Sequence, residues 1–178
     1  MKTLQPDTLI QNPQGCHVVS SVDVPAQAES VWALVGNFAG FDRFIPALSH
    51  IEMTGEGISC LRKKFFKDGN LVVEQLNSRN DQERYMTWTT IYNTLGVARL
   101  WAAMAVETLD ENQCRATWTI MAEPAQGGAE ALPGFKDFVQ GFADDAMGNV
   151  LKRFASGIAS AVVLHRLQTP KKQNPCLR

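Results

Sequence analysis

Two rhythms divide the chain. Between residues 17 and 123 apolar and polar positions alternate in short runs, and beyond residue 135 they recur every three to four positions. The first alternating run is HVVSSVDV (17–24), closed by Pro25. Six more follow: LSHIEMT (48–54), ISCLRKKFF (58–66), LVVEQLNSR (71–79), RYMTWTTIY (84–92), VARLWAAMAVETL (97–109) and QCRATWTIMAE (113–123). The separators GEG, KDGN, NDQE, NTLG and DEN are short and polar, the kind that joins antiparallel neighbours. The pattern therefore predicts a seven-stranded antiparallel meander.

Between the first two runs lies VWALVGNFAGFDRFIP (31–46). A helix is expected from about Glu29 to Val35, and Phe41, Phe44 and Ile45 rebuild an apolar face that Pro46 stops. Gly36 and Gly40 let the chain bend where a side chain would clash. AEPAQGGAEALPG (122–134) reads as a loop. From Phe135 onward, Phe138, Phe142, Ala146 and Val150 lie four apart, and Leu151, Phe154 and Ile158 extend an adjacent stripe. Asp137, Gln140, Asp144, Gly148 and Lys152 fall on the other side, so one long amphipathic helix is expected. The order of elements is α+β: a curved seven-stranded antiparallel sheet gripping a long C-terminal helix, with two short helices after the first strand closing one end. The expected layout is a flexible leader (1–16), one domain (17–168) and a flexible tail (169–178). A sheet curved around one helix leaves its hollow unfilled, so a cavity is expected.

Composition narrows the partner. The 178 residues carry a formal net charge of -1, with acidic and basic residues mixed, which argues against nucleic acid and leaves a small molecule or another protein. Cys16, Cys60, Cys114 and Cys176 include no CxxC pair, so neither a metal nor a cofactor is expected. The opening MKTLQPDTLIQNPQG has no apolar run of the signal-peptide kind, and the chain reads as cytoplasmic with free thiols. ASGIASAVVL (155–164) is shorter than the roughly 20 residues of a membrane span. It reads as a packed helix end or a small-residue dimer face, leaving monomer and homodimer open.

VDVPAQAESVWALVGNFAGFDRFIP, VVEQLNSRNDQERYMTW and FADDAMGNVLKRF, in this order, resemble the strand–Pro–helix opening, the central aromatic strands and the final helix of the START-like, or SRPBCC, superfamily. That superfamily has the helix-grip fold and includes polyketide cyclases, lipid-transfer domains and plant abscisic acid receptors. The resemblance implies a small hydrophobic ligand (lipid, polyketide or aromatic metabolite) in an internal cavity. It implies pocket positions at Glu74 on the fourth strand, Trp88 and Thr90 on the fifth, and Leu100 and Ala102 on the sixth. Phe142, Ala146 and Val150 match the cavity-facing line of the last helix, and Glu123 matches a second acidic position after a shift of two residues. KDGN is too short to be the receptors' gate, and Pro46 and Ala47 stand where they carry a ligand-pairing Lys, so a hormone receptor is not implied.

Glu74 shares a strand face with Val72 and Leu76. Facing inward, it is expected to have a raised pKa and to act as acid or base or to bond a ligand hydroxyl; facing outward, it is an ordinary surface carboxylate. Trp118 and Glu123 are an odd number of positions apart, so without a bulge only one of them faces inward. His17, His50 and His165 lie on different elements with no nucleophile turn, and no GxGxxG or GxxxxGK motif is present. Two functions compete: a carrier of a small apolar molecule, and a cyclase or dehydratase using Glu74 or Glu123, for which no His, Tyr or Lys partner can be named. An assembly or chaperone-like role on the surface would be signalled by a hollow blocked with large side chains.

Overall fold

The computed structural model describes residues 15–168, with side chains as far as residue 155. Apart from residues 15 and 16, the expected leader and tail lie outside the described residues, as do Cys176 and the side chains of the 156–164 stretch. The seven strands are β1 (Cys16–Val24), β2 (Leu48–Thr54), β3 (Leu61–Phe66), β4 (Leu71–Asn80), β5 (Tyr85–Asn93), β6 (Val97–Asp110) and β7 (Gln113–Pro124). They form one antiparallel sheet in the order β1-β7-β6-β5-β4-β3-β2, as the turn chemistry predicts. The β4–β5 ladder is bulged between Val73 and Glu74 and between Leu76 and Ser78, and the β6–β7 ladder between Val97 and Arg99. Each bulge bends its strand and adds local twist, which curls the sheet.

Helix α2 (Gly128–Gln168) crosses the concave face against β1 and β7. The loop expected at 122–134 shrinks to a few residues, because β7 runs to Pro124 and α2 starts at Gly128. Gly127 and Gly128 take positive φ and make the turn, and Ala131 N–H closes on the Gly127 carbonyl at 3.3 Å. Ala129, Glu130 and Ala131 then favour helix, while Pro133 forgoes a single backbone bond near its start.

The buried line of α2 is Val139, Ala143, Ala146, Met147 and Val150, with Phe142 partly buried beside it. Phe138, expected on that line, is 53% exposed. Asp144 and Gln140, expected to face solvent, instead reach β1: Ser20 Oγ donates to Asp144 Oδ1 at 2.6 Å and Gln140 Nε2 to the Val19 carbonyl at 3.1 Å. The helix is rotated from the sequence-based stripe because Ala143 and Ala146 permit closer approach to the sheet than Phe138 would.

Helix α1 (Ala28–Val35) is followed by a single 3-10 turn at Phe41–Arg43 rather than a second helix, since Gly40 and Pro46 bracket too few residues for one. At Gly36 an added Cβ would lie 2.5 Å from two Trp32 ring atoms, so the bend requires glycine on contact grounds. Trp32 Nε1 donates to Asp81 at 2.8 Å, and Arg79 Nη1 to the Gly36 carbonyl at 2.6 Å, pinning this segment to β4 and the turn that follows it. Arg153 and Asn149 of α2 donate to the carbonyls of Arg43 and Phe44. The segment thus closes one end of the grip.

Candidate ligand cavity

A cavity of about 470 Å³ lies between the concave face and α2. Its walls include Glu74, Trp88, Thr90, Leu100 and Phe142, five of the positions expected from the resemblance, together with Trp118. Asp68, Thr94 and Phe138, all exposed, form its outer end at the tips of two hairpins and the start of α2. Thr94 Oγ1 donates to Asn70 Oδ1 at 2.8 Å and clasps those hairpin tips together. Ala102, Ala146 and Val150 are buried in the core outside the cavity wall, because short side chains there are covered by their neighbours. Glu123 faces away from the cavity: alternation along β7 sends Ala116, Trp118, Ile120 and Ala122 inward, and Glu123 pairs with Arg99 on the other face. The expected acidic pocket position at Glu123 is therefore corrected by strand parity.

The inner wall is charged. Along β3, Arg62 and Lys64 alternate inward between Cys60 and Phe66. Register sets Arg62 directly opposite Glu74 of β4, and Thr90 of β5 opposite Glu74 on its other side. Arg62 Nε donates to Glu74 Oε2 at 2.5 Å, Lys64 Nζ to Oε1 at 2.9 Å, and Thr90 Oγ1 to Oε1 at 3.5 Å. Arg62 Nη1 also donates to the Phe38 carbonyl at 2.9 Å. The guanidinium centre lies 3.9 Å from the ring centroids of both Phe38 and Phe41, so the segment after α1 walls it off and meets its charge with aromatic faces. Lys64 and Glu74 border the cavity; Arg62 stands behind them.

Burial alone pushes the Glu74 carboxyl up, but the adjacent Arg62 and Lys64 cations outweigh it and leave the pKa below the ordinary value. For Lys64, burial pushes the ammonium down, Glu74 pulls it partly back, and Arg62 pushes it down again; the result is lowered. The expectation of a raised Glu74 with no cationic partner is thus overturned. The signal was present: the alternation that turns Val72, Glu74 and Leu76 inward turns Cys60, Arg62, Lys64 and Phe66 inward too. A basic run such as RKK ordinarily marks a solvated face, so the alternation alone does not single out Arg62 and Lys64.

Among the described residues no cluster of His, Cys, Asp or Glu is placed to hold a metal, and no helix is long and apolar enough to cross a membrane. Cys16, Cys60 and Cys114 are free and buried. His50 is exposed and stacks on Phe65 at 4.4 Å, and neither it nor His17 borders the cavity.

No curated protein matches the chain. Among solved structures, it is similar to the protein XoxI from Bacillus cereus at 22% identity and a TM-score of 0.70, over 78% of this chain and 95% of that one. The Zhui aromatase/cyclase from Streptomyces aligns at 15% identity and 0.68, over 83% and 98%. A START superfamily protein from Mycobacterium smegmatis aligns at 11% and 0.66, over 79% and 97%. These likenesses show the helix-grip fold. The model of the family described as polyketide cyclase / dehydrase and lipid transport matches residues 15–159. The chain belongs to that family.

Proposed function

We propose that the protein binds a small apolar molecule in this cavity and carries it without transforming it. The observation that supports this most is the state of Glu74. Both its oxygens are engaged by buried cations that hold its pKa below the ordinary value, so it is a carboxylate with no proton to give and is a weak base. A cavity of about 470 Å³ whose outer end is formed by exposed residues of the hairpin tips and the start of α2 lies within the usual range for small-molecule sites, roughly 300–1,000 Å³. The same volume argues against the blocked hollow that would favour a purely surface role.

Native mass spectrometry of protein isolated from its own host tests the reading. A small molecule retained one per chain, and recovered unchanged after prolonged incubation, is the expected result; conversion of that molecule by the protein would overturn the carrier reading. The cyclase or dehydratase alternative draws support from the family description and from the Zhui aromatase/cyclase likeness. In that case a linear poly-β-ketone would cyclise faster with the protein than without it, and loss of that acceleration in Lys64→Met would place the charged wall in the chemistry.

A further inference from the structure

We infer that the ligand is an acid, and that its anionic end sits against Lys64 at the inner end of the cavity while its apolar body fills the remainder. The inference rests on the binding reading above and specifies the ligand for the same site. Its basis is a charge count. Two buried cations, Arg62 and Lys64, share the single carboxylate of Glu74. Arg62 stays protonated in a protein and takes Glu74 directly across the ladder, with Phe38 and Phe41 covering its faces. The positive charge left over therefore falls on Lys64, the cation that borders the cavity.

Among the described residues, no other wall of the cavity supplies a compensating anion beside Lys64. Strand β5 contributes Trp88 and Thr90, β6 contributes Leu100, β7 contributes Trp118, and α2 contributes Phe142, all uncharged. Asp68 is at the exposed outer end, where Asn70 already donates to it through its backbone and side chain. A buried ammonium without its own counter-ion is costly. Two events relieve it: loss of the proton, towards which burial and Arg62 already push Lys64, or arrival of an anion. An ammonium has three donors and Glu74 takes one, so a carboxylate, sulfonate or enolate entering the cavity meets donors suited to it. Charge and proton are then linked. Anion binding stabilises the ammonium, so it draws a proton onto Lys64 wherever the empty site has begun to lose it, and affinity for the acid falls as pH rises.

The test uses matched pairs that differ in the anionic group: dodecanoate against dodecanol, and anilinonaphthalene sulfonate against neutral N-phenylnaphthylamine, titrated into the full chain by calorimetry and fluorescence. The acid is expected to bind about 10- to 100-fold more tightly in a pair that enters the cavity, the range for hydrogen bonds to a charged group. Lys64→Met should abolish that preference while keeping the neutral partner's affinity; it leaves Arg62 and Glu74 as a balanced pair, so folding is expected to survive. Lys64→Arg should retain a preference for the acid but lose its fall at alkaline pH. Calorimetry in two buffers of different ionisation enthalpy should show proton uptake on acid binding by the native protein at alkaline pH and none by Lys64→Met. Neutral and acidic members binding equally in both pairs, or the preference persisting in Lys64→Met, would overturn the acid inference and leave the cavity reading standing. Failure of all four probes to bind would overturn the cavity reading itself.

Discussion

Replacing Glu74 by Gln keeps the shape of the side chain and removes the carboxylate that, among the described residues, pairs with Arg62 and Lys64. Removing one partner of a buried ion pair costs about 3–5 kcal/mol, because the other charge is left uncompensated. Here Lys64 can release its proton, but Arg62, fully buried, cannot. Its remaining compensation is the hydrogen bond to the Phe38 carbonyl and the two rings at 3.9 Å. The expected loss is thus about 3 kcal/mol, the low end of that range, against a total stability of roughly 5–15 kcal/mol, so the variant should still fold. Urea unfolding at neutral pH, with equal slopes for both proteins, measures the difference. It should depend on pH in one direction. The folded-state pKa of Glu74 lies below the ordinary 4.5, so its contribution is present above that value and is lost as pH falls through the folded value. The gap between native and variant should therefore close in acid. A loss under about 1 kcal/mol would show that the carboxylate is not the counter-ion described, since changes away from such features are usually within about 0.5 kcal/mol.

Lys64 works in the opposite pH range: its folded-state pKa is below the ordinary 10.5, so the unfolded chain holds a proton that the folded chain gives up, and stability should rise from the folded value towards pH 10.5. Lys64→Met should show no such rise in urea midpoints measured across alkaline pH. Gly36→Ala places a methyl 2.5 Å from the Trp32 ring and should cost about 1–3 kcal/mol as an overpacked contact, read as a lowered melting temperature; a change within about 0.5 kcal/mol would mean the Trp32 ring moves freely.

Much of the fold is legible in the chain because nearly every connection in the sheet is local. Each run of alternating residues meets its sequence neighbour through a short polar turn, and only β1 pairs across the whole length, with β7. The start of α2 was hidden by Gly127, Gly128 and Pro133, which mark loops in isolation but here form a turn and the opening of a helix. The orientation of α2 depends on which residues let it approach the sheet, and the four-residue spacing of Phe138 with Phe142 does not contain that information. Glu123 illustrates the limit of alignment by likeness: a shift of two residues preserves strand parity, and parity already places it on the outer face beside Arg99. Arg62 and Lys64 were readable by alternation but require the β3–β4 register before they can be matched to Glu74. Cavity volume is the least legible quantity, since it is the difference between a curved sheet and the side chains that fill it.

The central claim, that the hollow beneath α2 is an open site for a small apolar molecule, is tested most directly by titrating the neutral probe N-phenylnaphthylamine into the native protein and into Leu100→Trp. Leu100 borders the cavity, and a Trp there takes up part of the roughly 470 Å³ while Arg62, Lys64 and Glu74 are kept in the sequence. Saturable binding of one probe per native chain, lost in Leu100→Trp while the circular dichroism and melting temperature are retained, is the predicted result. Equal binding by both proteins would place the probe elsewhere and contradict the account.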